Sequence, residues 1–452
     1  MKRLIDTLKN IFKIEELRTR ILFTVVMLLI YRLASFIVLP GINPIQLEAI
    51  QPAGGASGLE GIINLFAGGA FSRASVIALG IMPYISASIV VQLLGLVYPP
   101  IQKLQKEGES GRNKMNQMTR FLTVIITAVQ AFAFVVNLKS QYLSAIVLRT
   151  GDSIDLSFWL STIFVLTAGT MFVMWIGEKI TDKGIGNGIS LIIAMGIIAR
   201  LPGSVVTELQ YRTGENGGGL VPFVIEIAAW LAIIAITILL VQAVRRIPLQ
   251  VAGRVVSGKT EARNFLPLKL NASGVMPIIF AQAIIFLPMT VAQFFPDRDW
   301  AQAVMGAMSD FRSVWYNVVL IALIVGFTYL YTSLSVNSNQ IAEDLKRGGS
   351  FVPGIKPGED TANFIDDILS KITFPGSLFL AAIAILPSLA VIFGVNNQFA
   401  QFFGGTSLLI MVGVVLDTLQ QIETYLLAKH YDGLMESGRV KGRNQNAIGA
   451  QI

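Results

Sequence analysis

The chain's 452 residues are 53% hydrophobic and 14% charged, and 35 Lys and Arg against 28 Asp and Glu leave a net charge of +7. That balance lies outside the range of soluble globular domains and points to a membrane chain with a basic face. With no cysteine and a single histidine, His430, disulfides, thiolate metal sites and multi-histidine metal sites are excluded, and no group of side chains suits a catalytic or cofactor site.

Residues 1–20 are polar and of mixed charge, without a cleavage-site pattern, and read as a cytoplasmic leader. Apolar runs long enough to cross a ~30 Å hydrocarbon core then recur. Ten spans are predicted near 21–39, 75–97, 119–138, 156–176, 187–201, 220–241, 272–294, 315–336, 372–393 and 403–421. An even number places both termini on one side, and Lys and Arg decide which. Of the 35 basic residues, 27 fall on the side of the termini, leaving only Arg32, Arg73, Lys139, Arg149, Arg200, Arg212, Arg298 and Arg312 opposite. Both termini are therefore expected in the cytoplasm.

Before the second span, Leu59 to Phe66 has apolar residues at helical spacing and breaks at Gly68-Gly69. It is too short to cross and too apolar for an open loop, so it either lies at the outer interface or folds back into the protein. Gly80-Ile81-Met82-Pro83-Tyr84-Ile85 follows, and the pattern returns as Gly274-Val275-Met276-Pro277-Ile278-Ile279. A proline within a helix breaks its hydrogen bonding, which lipid tolerates only beside protein or a cavity. The two patches lie on the second span of each half, running inward in one and outward in the other. The chain is thus expected to be an inverted repeat of five plus five spans: residues 1–210, an external hinge at 211–219 rich in glycine, residues 220–425, and a cytoplasmic tail at 426–452.

Gly184-Ile185-Gly186-Asn187-Gly188 mimics a dinucleotide loop, but it opens a membrane span and reads as a tight turn. Gly253 to Thr260 matches a P-loop literally, yet it sits in a short insertion between spans with no parallel strand and helix to support it. The inner loops 245–270 and 337–371 are the longest cytoplasmic segments. The first is basic and reads as a hairpin around Pro248 and Pro267; the second carries rigid turn chemistry from Phe351 to Gly358. Long basic loops on one face suit partner docking.

Ionisable residues within the spans are few and scattered, chiefly Arg32, Glu226, Asp417 and Glu423, with no stack of carboxylates for an ion relay. Isoleucine is what the inner positions offer. Ile81, Ile85 and Ile89 share one helix face, as do Ile189 and Ile193, and Ile85 and Ile279 are equivalent in the repeat. An apolar constriction there holds back water and ions by dewetting and accepts any side chain. Ser86, Ser88, Gln92, Gln130 and Gln282 are placed to bond between helices, weakly enough for a seam that opens toward lipid.

Four stretches then carry a family resemblance: Ala78 to Ile89, Gly184 to Ser190, Phe351 to Gly358, and Gly404 to Ile410. They closely resemble the SecY/Sec61-alpha family of pore subunits, and the resemblance covers nearly the whole chain. It implies an all-α membrane protein of ten helices in two inverted halves around an hourglass pore. It also implies a pore ring of Ile81, Ile85, Ile189, Ile193, Ile279 and Ile410. The plug implied is Gly61, Ile62, Ile63, Asn64, Leu65, Phe66, Ala67, Gly68, Gly69, Ala70 and Phe71. The lateral gate is implied between spans two and three and spans seven and eight.

Arg245, Arg246, Arg254, Lys259, Lys346, Arg347 and Lys356 lie on the two inner loops, which resemble the family's surface for the ribosome and the SecA motor ATPase. The other partners implied are SecE and SecG subunits, signal peptides and unfolded preproteins, membrane lipids, and accessory proteins of the YidC and SecDF type. The setting implied is the bacterial cytoplasmic membrane. Two departures stand out: Lys356 replaces the family's usual arginine, losing the planar fork, and the 253–264 loop tip lacks the basic and Tyr-Gly-Gly features of relatives. The expected function is a protein-conducting channel without catalytic activity that also releases apolar segments sideways. The reading set against it is an inverted-repeat transporter of a small solute, which needs a selective polar pocket at Pro83 and Pro277.

Overall fold

The computed structural model describes residues 14–50, 59–147, 149–150, 153–214, 218–251, 264–271, 274–295, 298–308 and 310–437. In chain order the helices are α1 (Glu15–Ala34), α2 (Pro44–Ile50), α3 (Leu59–Ala67), α4 (Met82–Val97), α5 (Pro99–Lys106) and α6 (Glu109–Gln141). After the short strands β1 (Arg149–Thr150) and β2 (Ser153–Ile154) come α7 (Leu156–Lys183), α8 (Gly188–Thr213) and α9 (Leu220–Val241). Strands β3 (Val244–Val251) and β4 (Asn264–Lys269) precede α10 (Met276–Gln293), α11 (Asp299–Met308), α12 (Val314–Ser335) and α13 (Ser338–Arg347). The rest is β5 (Ser350–Phe351), α14 (Glu359–Ile392), α15 (Asn397–Ala400) and α16 (Gly405–Ser437).

Among the described residues seven helices are long and apolar enough to cross a membrane: α6, α7, α8, α9, the α12–α13 stretch, α14 and α16. Helices α4 and α10 are apolar but shorter. Helix α9 leaves Leu220, Val221, Val224, Ile225, Leu231, Ile236 and Leu239 exposed, a surface that only an apolar solvent suits. One apolar cluster runs through the molecule from Tyr31 to Leu416. The helices before residue 214 meet those after 218 along two lines: α4 and α6 touch α10 on one, and α8 touches α9, α15 and α16 on the other.

The two Gly-x-Met-Pro patches share one backbone conformation. Gly80 and Gly274 hold left-handed φ values of 56° and 62°. Ile81 and Val275 are then N-caps, and proline occupies the first turn of each helix. The prolines therefore start α4 and α10 and do not kink them. At that position the missing N–H is one that no helix would have satisfied. The predicted spans 75–97 and 272–294 shorten accordingly, with 75–81 in turns.

Elsewhere helices run past the apolar runs that marked them. The predicted 187–201 span continues to Thr213 through Pro202, and the 372–393 span begins at Glu359 and includes Pro375 and Pro387. The Gly184–Gly188 turn leads into α8 as expected. Gly186 has φ 83°, and the Asn187 side chain accepts from the Ile189 and Ser190 amides. The 245–270 loop is a hairpin, Val244 pairing with Lys269 and Leu249 with Asn264; Pro248 and Pro267 lie within its strands. Two-residue β5 extends it to three strands, an addition too short to show as periodicity. Ile247, Leu268, Val352, Ile365 and Leu369 form the core of this small unit.

Helices α7 and α8 approach closely because Gly177 and Gly188 face each other, and a Cβ at Gly188 would run into the Gly177 carbonyl oxygen. Gly188→Ala is expected to cost about 1–3 kcal/mol through overpacking, read as a lower thermal midpoint of the purified chain.

Candidate functional site

The centre of the molecule is apolar and buried. Ile81, Ile85, Ile193, Ile279 and Ile410 are each at most 5% exposed and belong to the one large apolar cluster; Ile189 packs against it half-buried. They come from both Gly-x-Met-Pro patches, from α8 and from α16, so four elements contribute to that cluster. Ile189 also lies against Gly177 of α7, beside the close Gly177–Gly188 contact.

The segment 61–71 is folded into the protein. Gly61, Ile63, Asn64, Phe66, Ala67, Gly68, Ala70 and Phe71 are buried, which removes the interface-helix alternative. The side chains of Ile62 and Leu65 lie outside the described residues. Ile63, Phe66, Ala67, Ala70 and Phe71 enter the same cluster as the isoleucines. Asn64, the one polar side chain of the segment, bonds the Ser72 hydroxyl and accepts from the Ser72 amide at 2.8 Å, so its burial leaves nothing unsatisfied. Phe71 meets Phe134 of α6 edge-to-face at 4.8 Å.

The turn after α3 rests on α8 backbone to backbone. A Cβ at Gly68 would lie 2.9 Å from the Gly196 Cα, and one at Gly196 would lie 2.8 Å from the Phe66 carbonyl oxygen. Only glycine at both positions permits this approach, and Gly68 additionally holds φ 61°. The Gly68 carbonyl accepts from Arg32 Nη1 at 3.0 Å and Arg73 Nη2 at 3.2 Å, and both guanidiniums lie over the Phe36 ring.

The predicted gate side chains do not bond across the seam. Gln92 donates to Ser88 at 3.1 Å within α4, and Gln282 of α10 donates to the Tyr316 hydroxyl at 3.2 Å on α12. Ser86 Oγ and Gln130 Oε1 are buried and find no hydrogen-bond partner among the described residues. What spans the seam is aromatic: Phe132 of α6 stacks on Phe294 beyond α10 at 5.9 Å and also meets Trp159 at 4.8 Å. Of the basic loop residues, Arg245 and Arg246 on β3, Lys346 and Arg347 on α13, and Lys356 in the turn before α14 are exposed around one small unit. Arg254 and Lys259 lie outside the described residues.

A sequence profile of the SecY family matches residues 75–419. The chain is 39% identical to protein translocase subunit SecY of Chlamydia muridarum, over 97% of this chain and 99% of that one. The chain belongs to the SecY family.

That family is a family of translocation pores rather than enzymes. Solved channels of the SecY kind share the fold of this chain. A SecY channel whose plug stabilises the closed state and maintains a membrane seal aligns over 94% of this chain and 95% of its own, with TM-score 0.64 and 18% identity. Sec61 from a canine ribosome–channel complex aligns over 94% and 95%, with TM-score 0.60 and 16% identity.

Several features of this SecY-family site carried no sequence signal. Arg32 and Gly196 stand far from the 61–71 segment in the chain, and only the fold brings them to it. Phe132 and Phe294 are single aromatics in apolar runs, indistinguishable there from any lipid-facing ring. Gly196 had the faintest mark, a small residue inside an otherwise bulky span.

Proposed function

We propose that this SecY-family chain is a protein-conducting channel in its closed state. Ile81, Ile85, Ile193, Ile279 and Ile410, with Ile189 beside them, form the constriction, and residues 61–71 act as the plug. The observation that carries this reading is the single buried apolar cluster shared by five of the six isoleucines and five plug side chains. Branched aliphatic groups offer no fixed polar partners, so a ring of them passes varied side chains while excluding water and ions when empty. The competing solute transporter needs polar side chains around Pro83 and Pro277. Both prolines are buried there, and their neighbours Ile81, Met82, Val275 and Ile278 are apolar.

The seven long helices, the two apolar helices α4 and α10, and α1 make ten spans, divided into two inverted halves at the 211–219 hinge. The shared left-handed glycine, N-cap and proline of the two patches support that repeat. The basic unit of β3, α13 and the Lys356 turn faces the cytoplasm with both termini, in a bacterial cytoplasmic membrane. It receives a ribosome, as in the Sec61 complex, or a SecA-type motor. SecE and SecG subunits bind at the periphery, and YidC- and SecDF-type proteins act as accessories. The lateral gate opens between α4–α6 and α10–α12, where aromatic stacking and buried, unpartnered hydroxyl and amide groups replace a fastened polar seam. Signal peptides and apolar segments leave through it into lipid.

Cysteines at Ile85 and Ile279 are expected to crosslink to a preprotein arrested in transit through the purified channel. Crosslinks confined to other helices would move the pore away from this ring.

A further inference from the structure

A second buried cluster, at the hinge, takes no part in the pore. Near the end of α8, Arg212 donates from Nε to Glu208 Oε1 at 3.1 Å. Its Nη2 reaches Glu226 Oε1 of α9 and, at 2.8 Å, the Gly394 carbonyl beyond α14. Glu208 Oε2 accepts from the Asn396 amide at 2.9 Å, and the Tyr211 ring lies 5.6 Å from the guanidinium. One cation is therefore set between two carboxyl groups from the helices on either side of the hinge, with the turn before α15 closing the remaining side. The side chains of Arg212, Glu208 and Glu226 are 11%, 0% and 10% exposed.

The charges do not balance if both glutamates are ionised: two negative groups would share one positive group out of water. Both carboxyls take a bond from the one guanidinium, Glu208 through Oε1 and Glu226 through Oε1, which holds them close together. Two buried carboxylates that share one cation cannot both ionise without a strong penalty. Glu226 Oε2, moreover, is buried without a hydrogen-bond partner among the described residues, a position that suits a neutral carboxyl and not half of a carboxylate.

We propose that Glu208 and Glu226 together bind one proton beside Arg212, and that its release to solvent loosens the clasp across the hinge. With the proton bound, one carboxylate and one guanidinium cancel. Without it, a net negative charge is left in the interior and the carboxyls repel each other. The titration belongs to the pair and not to either residue. Placing this end on the outer face rests on the orientation proposed above, and there the occupancy would follow external pH; the proton site itself does not depend on that orientation.

Full-length protein in lipid nanodiscs, with both faces open to buffer, tests the site independently of orientation. Infrared titration is expected to show a protonated-carboxyl stretch that disappears as pH rises, together with a fall in the thermal midpoint over the same interval. Glu208→Gln and Glu226→Gln should each lose that band and that pH dependence, since each leaves one carboxylate for one guanidinium. Glu226→Asp keeps a titrating pair at altered distance and should shift the titration. Absence of a titrating band in the wild type, retention of it in both glutamine variants, or an unshifted titration in Glu226→Asp would overturn the proposal.

Discussion

Deleting residues 61–71 is expected to turn a sealed channel into one that conducts ions at rest, seen as resolved openings in planar bilayers where the intact chain is silent. The side chains of the proposed plug, Ile63, Phe66, Ala67, Ala70 and Phe71, lie in the same cluster as five isoleucines of the proposed ring, so on that reading their removal leaves the ring to exclude water alone. An apolar ring holds by dewetting, a barrier that falls steeply once the space beside it fills with water. Deletion also strips the acceptor at Gly68 from Arg32 and Arg73 and leaves two cations facing the opening. A milder variant separates displacement from absence. Gly196→Val puts side-chain atoms where the Phe66 carbonyl now rests, 2.8 Å from a Cβ at that position. It should raise conductance in the same direction by less, with the plug still present. An unchanged resting conductance in both variants would remove 61–71 from the seal.

How much of this was legible in the sequence divides by range. Apolar runs marked α6, α7, α9, α12 and α16 because a span is a local property of twenty consecutive side chains. The Gly-x-Met-Pro patches were legible as paired, but their geometry was not: Gly80 and Gly274 take left-handed φ and let each proline open a helix rather than break one. The sequence had a proline and an apolar run, and only the glycine immediately before a potential N-cap distinguished a helix start from a kink. The hairpin at β3 and β4 was visible in its prolines and extended stretches, whereas β5 was hidden by its length.

Side-chain partnerships were the least legible. Gln92 and Gln282 read equally well as gate residues or as ordinary packing, because composition does not give the rotation of a helix about its axis. The structure turns them toward Ser88 and Tyr316. The triad at the hinge escaped for the opposite reason. Glu226 looked like an isolated intramembrane charge, and the scarcity of carboxylates counted against any proton-binding group. Its partners stand 14 and 18 positions earlier, across a glycine-rich loop, and only the antiparallel run of α8 and α9 makes them neighbours.

Replacing Arg212 is expected to be the most damaging single substitution in the described fold outside the plug. Arg212→Leu leaves Glu208 and Glu226 buried with no cation, and breaking a buried pair by removing one partner costs about 3–5 kcal/mol. The Gly394 carbonyl loses its donor as well, so the turn between α14 and α15 loses one of its hydrogen bonds to α8 and keeps the one from Asn396 to Glu208. Arg212→Lys should recover only part of the loss. An ammonium keeps the charge but cannot present separate donors to Glu208, Glu226 and Gly394 as the guanidinium fork does. The triple variant Arg212→Leu, Glu208→Gln, Glu226→Gln distinguishes charge from packing. With no charge left to bury, it should regain most of the thermal midpoint lost in Arg212→Leu, because a buried ion pair often contributes little beyond the cost of breaking it. A triple variant as unstable as Arg212→Leu alone would mean that the arginine holds the hinge by shape and by the Gly394 bond, and that the carboxyl pair is incidental to the clasp. Cleavage of the loop beside Gly214 by added protease should follow the same order, fastest where the clasp between α8 and α9 is lost.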